Sequence, residues 1–249
     1  MTLAHAPGAP SWVDLGTTDL AAATAFYSAL FGWGVDELGP QAGGYGLLLK
    51  DGKQVAGIGP ADPVRGTSWA VYFATQDAAG TAAEVEARGG KTVIAPMQVM
   101  DQGIMAVFTD PAGAFFSVWQ PGAHTGAELM RQPGSVSWVE LYTPDVAAAK
   151  EFYGAVFGLT AQDSDMGGGE TYTLLSIGGN QVGGMFTPPG AADMPSYWMP
   201  YFAVEDCDAS AAKAVELGAT ELVRTDYPGG RLAILTDPQG ATFGVITGN

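Results

Sequence analysis

An internal duplication limits the folds open to this chain more than any other property of it. The stretch SWVDLGTTDLAAATAFYSALFGW at 11–33 returns as SWVELYTPDVAAAKEFYGAVFGL at 137–159, and TDPAGAFFSVWQ at 109–120 returns as TDPQGATFGVIT at 236–247. Between these anchors Tyr45 answers Tyr172, QVAGIGP answers QVGGMFTPP, and SWAVYFATQD at 68–77 answers YWMPYFAVED at 197–206. The spacing barely changes along the match, so the halves differ only by small loop insertions and one structural unit is used twice. The connecting QPGAHTGAELMRQPG is rich in Gly and Pro, the composition of a boundary. The expected division is a first domain at 1–122, a linker at 123–136 and a second domain at 137–249.

Each half divides again, into modules at about 11–60 and 66–120, then 137–188 and 195–247. In the first module the alternating residues Trp12 to Gly16 read as a strand, Asp19 as an N-cap, and Leu20 to Phe31 as a helix ended by Gly32. Leu20, Ala23, Phe26, Tyr27 and Leu30 share one face of that helix. Strands follow at about 45–50 and 54–58, joined by an Asp51-Gly52 turn of tight-hairpin type. The second module reads as a strand at 68–75, a helix at 77–89 stopped by Gly89-Gly90, and strands near 91–99, 104–109 and 114–119. The pattern is βαβββ in every module, an α+β chain.

Ten Lys and Arg against 26 Asp and Glu give a net charge of −16, which repels phosphate backbones and anionic lipid. With 47% hydrophobic and 14% charged residues, the chain has ample material for a core. The single cysteine, Cys207, excludes an intrachain disulfide, and together with His5 and His124 it cannot make a Cys/His zinc cluster. The N-terminus has no signal-peptide pattern and no window has the length of a membrane span, so a cytoplasmic protein is expected.

The strand, the capping Asp, the helix with an internal Phe-Tyr, the following Phe-Gly-Trp and the closing Asp-Pro-x-Gly resemble the vicinal oxygen chelate superfamily, which includes glyoxalase I, extradiol dioxygenases and bleomycin-resistance proteins. The resemblance covers about 11–120 and 137–247. GAHTGAELMRQPGSVSWVEL and the DPQGATF ending resemble its two-domain glyoxalase-like or hydroxylase branch. What this implies is tandem glyoxalase-like domains, each two βαβββ modules forming a cupped, incomplete barrel with the ligand inside. The metal enzymes of the superfamily place His, Gln or Glu on the inner strands. The corresponding positions here carry Trp12, Ala70 and Ser117 in one half and Trp138, Met199 and Gly244 in the other. Indole and thioether groups cannot replace imidazole or carboxylate ligands, so no metal and no cofactor are expected.

If Trp12 and Trp138 face the cups, Asp14 and Glu140 do too, because residues two apart on a strand share a face. On the same rule Phe115, Ser117 and Trp119 face inward in the first half, against Thr242, Gly244 and Ile246 in the second. The first cup is thus expected to be aromatic and the second roomier. Tyr72 and Tyr201 join them, and Tyr45 and Tyr172 sit at matching strand starts near the rim. One reading makes the tryptophans ligand-stacking walls and Asp14 or Glu140 a hydrogen-bond acceptor or general base; the other makes them ordinary core. Methionines at 97, 100, 105, 185, 194 and 199 are open to the same two readings. His124 reads as a surface or interface residue of the linker, His5 is assigned no role, and Cys207, at a helix start, reads as structural. Gly167-Gly168-Gly169 reads as a loop, since no Lys-Ser/Thr follows it.

The function expected is metal-independent binding of a hydrophobic or aromatic small molecule, as the bleomycin-resistance proteins of the superfamily suggest, by a monomer or homodimer. The alternative is a cofactor-independent cyclase, isomerase or hydroxylase acting on a polycyclic metabolite, with Asp14 or Glu140 as base and a tyrosine as proton donor; a metal-dependent glyoxalase or dioxygenase comes behind both. A carboxylate within hydrogen-bond reach of a tyrosine is the feature that separates binding from catalysis.

Overall fold

The computed structural model describes residues 5–63, 65–167, 170–188, 190–191 and 194–248. The first module comprises β1 (Pro10–Thr17), α1 (Leu20–Phe31), β2 (Gly34–Glu37), β3 (Gly46–Lys50) and β4 (Lys53–Pro60). The second comprises β5 (Ser68–Ala74), α2 (Ala78–Ala87), β6 (Lys91–Val99), β7 (Gly103–Thr109) and β8 (Phe115–Pro121). The third has β9 (Val136–Tyr142), α3 (Val146–Phe157), β10 (Thr160–Gly167), β11 (Glu170–Ile177) and β12 (Asn180–Phe186). The fourth has β13 (Tyr197–Ala203), α4 (Cys207–Glu216), β14 (Thr220–Tyr227), β15 (Gly230–Thr236) and β16 (Thr242–Thr247). The strands form two eight-stranded sheets, ordered β2-β3-β4-β1-β5-β8-β7-β6 and β10-β11-β12-β9-β13-β16-β15-β14. The expected βαβββ unit therefore occurs four times.

Every module starts its helix in the same way. Asp19, Asp77, Asp145 and Asp206 each accept a hydrogen bond from the backbone N–H three residues on, at 2.9–3.0 Å. Such a cap satisfies an otherwise orphaned donor and contributes about 1 kcal/mol. Gly32 and Gly158 then end α1 and α3 in the left-handed conformation. Asp51 and Gly52 both take positive φ, 52° and 76°, as a type I′ hairpin turn requires. The sequence pattern passed over β2, whose mostly exposed GVDE offers no apolar alternation to detect.

Compactness divides the chain differently from the repeat. One unit comprises residues 1–11, 71–126 and 139–198, and the other 12–70, 127–138 and 199–249. Each therefore draws on modules from both repeats, and each is held by the same buried chain of side chains. In the first unit, Tyr153 on α3 donates to Asp110 at 3.0 Å and accepts from the Trp198 indole at 2.8 Å. In the second, Tyr27 on α1 donates to Asp237 at 2.9 Å and accepts from Trp69 at 3.0 Å. The two acids are those of the Asp-Pro-x-Gly turns; each also accepts two backbone N–H groups of its own turn.

Aromatic rings enclose both chains. Tyr153 packs with Phe116, Phe152, Phe157 and Trp198, and Tyr27 with Phe26, Phe31, Trp33, Trp69 and Phe243. Burial pushes both tyrosine hydroxyls well above their usual 10.0, reinforced by the neighbouring carboxylate. Burial also raises Asp110, against the hydrogen bonds that it accepts. Tyr27→Phe and Tyr153→Phe each delete a hydrogen bond to a carboxylate and orphan a buried indole N–H. Each is expected to cost about 3 kcal/mol, read from the denaturant midpoint; a wild-type midpoint in either variant would contradict this role.

Candidate functional site

A third chain of this kind lies on the first repeat, and this one is open. In β1, Trp12 and Asp14 share a face while Val13 and Leu15 turn the other way into the core. Asp14 stands opposite Gly57 of the parallel strand β4, with β3 antiparallel on its far side. Tyr45, just ahead of β3, lies back across β4, and only glycine leaves room for it. A Cβ on Gly57 would stand 1.9 Å from the Tyr45 hydroxyl oxygen, and one on Gly59 would stand 3.0 Å from a ring carbon. Placed there, the hydroxyl accepts from the Trp12 indole at 3.1 Å and donates to Asp14. Burial raises the Tyr45 pKa well above 10.0, the charge of Asp14 adds to this, and the indole donor opposes it. Trp12 is 5% exposed, whereas Asp14 and Tyr45 are only half-buried. A carboxylate, a buried phenol hydroxyl and a buried indole thus converge, with Asp14 and Tyr45 as the partly exposed residues of the three.

The other expected cup residues of the first repeat lie on β5 and β8. Phe73 and Phe116 pack towards α3, so Phe115, Ser117 and Trp119 occupy the opposite face of β8, with Tyr72 paired to Ser117. Trp119 donates its indole N–H to the carbonyl of His124 at 2.8 Å and meets the His124 ring edge-on. That contact pins the linker histidine to its own unit. The Ser117 hydroxyl is buried with no hydrogen-bond partner among the described residues.

In the second repeat, Glu140 is 6% exposed and stands opposite Gly184 of β12. Tyr172 lies across that glycine as Tyr45 lies across Gly57: a Cβ there would stand 2.1 Å from the Tyr172 hydroxyl. Trp138 is half-buried. The roomier second cup expected at Gly244 is not found there. The ring of buried Tyr201 covers this glycine, with a would-be Cβ only 2.0 Å from a ring carbon. Tyr142, Phe186 and Tyr197, which the sequence pattern did not single out, surround the Glu140 face. Strand alternation from Glu140 to Tyr142 was the available signal.

Among the methionines, Met97 and Met100 are exposed, whereas Met185 and Met199 are buried. Cys207 is buried and its thiol is pushed up to about 11, chiefly by desolvation, which makes it a poor nucleophile. Gly168 and Gly169 lie outside the described residues. No described helix is long and apolar enough to cross a membrane.

Comparison with known proteins defines the class. The family Glyoxalase/Bleomycin resistance protein/Dioxygenase superfamily matches residues 9–118, and Glyoxalase-like domain matches 138–246. The anthracycline biosynthesis protein DnrV of Streptomyces peucetius is 43% identical over 97% of this chain and 94% of its own length. The Mycobacterium bovis protein CFP32, provisionally named a glyoxylase, is 41% identical over 96% of this chain and 94% of its own. The chain belongs to this superfamily. The fold is shared with the Mn(II)-bound glyoxalase from Novosphingobium aromaticivorans (TM-score 0.66, 18% identity, covering 97% of this chain and 82% of that one). It is shared also with the 2,3-dioxygenase LapB from a Pseudomonas species (TM-score 0.67, 16% identity, covering 99% and 94%).

A metal does not fit the residues present. The six positions that the superfamily resemblance points to hold Trp12, Ala70, Ser117, Trp138, Met199 and Gly244. Among the described residues no group of three or more His, Cys, Asp or Glu is placed to hold a metal ion.

Tyr27, Tyr45 and Tyr153 ionise well above 10.0 in the folded chain and near that value when unfolded. The stability this contributes is full below pH 10 and is lost as pH rises towards the folded values. In an absorbance titration, Tyr27, Tyr45 and Tyr153 should be among the tyrosines that stay neutral above pH 10 until the chain unfolds, Tyr197 and Tyr227 being raised as well. Gly57→Ala, by displacing Tyr45, should leave one fewer resistant tyrosine than the wild type has; an unchanged number in that variant would contradict the packing described.

Proposed function

We propose that the protein binds a flat hydrophobic or aromatic small molecule, without a metal, on the face that carries Asp14, Tyr45 and Trp12. One observation carries this reading. Among the described residues a Trp–Tyr–Asp arrangement is seen in three places; two are sealed in the core, and the third has a half-buried carboxylate beside a partly exposed tyrosine. An acid on an otherwise apolar face favours a ligand that offers a hydroxyl donor, and the neighbouring rings favour a planar one. The kinship with a protein of anthracycline biosynthesis supports a polycyclic, hydroxylated aromatic as the ligand class. The absence of suitable side chains at the superfamily's ligand positions supports metal independence.

A second reading rests on the Asp14–Tyr45 hydrogen bond itself. A carboxylate beside a phenol can take a proton from one atom of a ligand and return it at another, an isomerisation that needs no cofactor. The test is to titrate the protein with a hydroxyanthraquinone, then recover the bound compound and compare its mass and chromatographic behaviour with the starting material. Binding should weaken about tenfold in Asp14→Asn, the loss of one charged hydrogen bond. Unchanged compound supports sequestration, and equal mass with altered retention supports isomerisation. Absence of binding would overturn both, and one metal ion per chain retained after dialysis against a chelator would overturn metal independence.

A further inference from the structure

The Glu140 face of the second repeat has a chemistry of its own, distinct from the Asp14 face. Tyr142 and Tyr197 stack at 5.2 Å between ring centres with 13° between planes. Phe186, the register partner of Tyr142, meets that ring edge-on at 6.4 Å, and Tyr172 leans against Phe186 at 6.4 Å. Gly184, over which the Tyr172 hydroxyl lies, is the register partner of Glu140. Glu140 and Tyr142 form a buried floor, and Tyr172, Phe186 and Tyr197 a half-buried rim. The negative charge of Glu140 reaches the rim: it adds to desolvation in raising the Tyr197 pKa.

We propose that this face binds an organic cation, a small amine in its ammonium form, with Glu140 as the charge partner and the Tyr142, Tyr197 and Tyr172 rings as its walls. Aromatic faces carry negative potential and attract ammonium groups, most strongly where water is partly excluded. An ammonium group adds Coulomb attraction to a carboxylate beyond what a neutral group of the same size offers. An anion would meet repulsion from both Glu140 and the chain's net charge of −16. The inference goes beyond the Asp14 reading and does not depend on it.

Benzylamine and benzyl alcohol, which differ little in size but differ in charge, are suitable probes on the full chain, with affinities read by ligand-observed NMR. Benzylamine should bind at least about tenfold more tightly than benzyl alcohol, and Glu140→Gln should remove that preference. Tyr197→Ala, at the rim, should weaken benzylamine by several-fold and tests the same face if Glu140→Gln does not fold. Equal affinity for the two probes, or full preference in Tyr197→Ala together with a folded Glu140→Gln, would overturn the proposal. So would a preference removed by Asp14→Asn and kept by Glu140→Gln, because the cation would then sit on the other face. Failure here leaves the hydroxyanthraquinone result untouched, so the two readings fall separately.

Discussion

A tyrosine hydroxyl sealed in an aromatic core, accepting from an indole and donating to a carboxylate, is what the rest of this structure is arranged around. Neither the acid nor the phenol could be buried alone without a cost of a few kcal/mol, so each must be met by the other. The Asp-Pro-x-Gly carboxylate also holds the backbone of its own turn, and the tyrosine belongs to a helix whose Phe neighbours fill the core. One small network therefore fixes a turn, a helix and a strand at once. It joins residues 210 apart in one unit and 43 apart in the other. The helical Phe-Tyr and the Asp-Pro-x-Gly, on which the superfamily resemblance rests, are two ends of one interaction.

The candidate site reuses this chemistry with one side left open. Asp14 and Tyr45 have the same donor–acceptor relation as Asp237 and Tyr27, and Trp12 supplies the indole. What differs is exposure, and exposure separates a structural network from one that can meet a ligand. The second repeat keeps the Tyr-over-Gly geometry at Tyr172 and Gly184 but surrounds its acid with further tyrosines, so duplication has produced two faces of unlike chemistry.

Much of this was legible in the sequence. The duplication implied the architecture, the four capping Asp residues marked the helix starts, and period-two alternation put Trp12 with Asp14. β2 was not legible because a short, exposed strand buries no alternating face. The partners of Tyr27 and Tyr153 were not legible either: helical periodicity shows that a tyrosine faces the core, not which acid awaits its hydroxyl. The Tyr45–Asp14 contact depends on the pairing of three strands, yet Gly57 and Gly184, glycines inside strand patterns, were a signal of close approach. The expectation of a roomier second cup is not met at Gly244, where the missing side chain is replaced by the ring of its neighbour Tyr201.

On the functional proposal, a planar ligand sits at the Asp14–Tyr45 pair. A crystal structure of the protein with a bound hydroxyanthraquinone tests it most directly. A ligand hydroxyl is expected within hydrogen-bond distance of the Asp14 carboxylate, with Tyr45 still donating to the same group. A ligand seated elsewhere, with Asp14 and Tyr45 untouched, would contradict it.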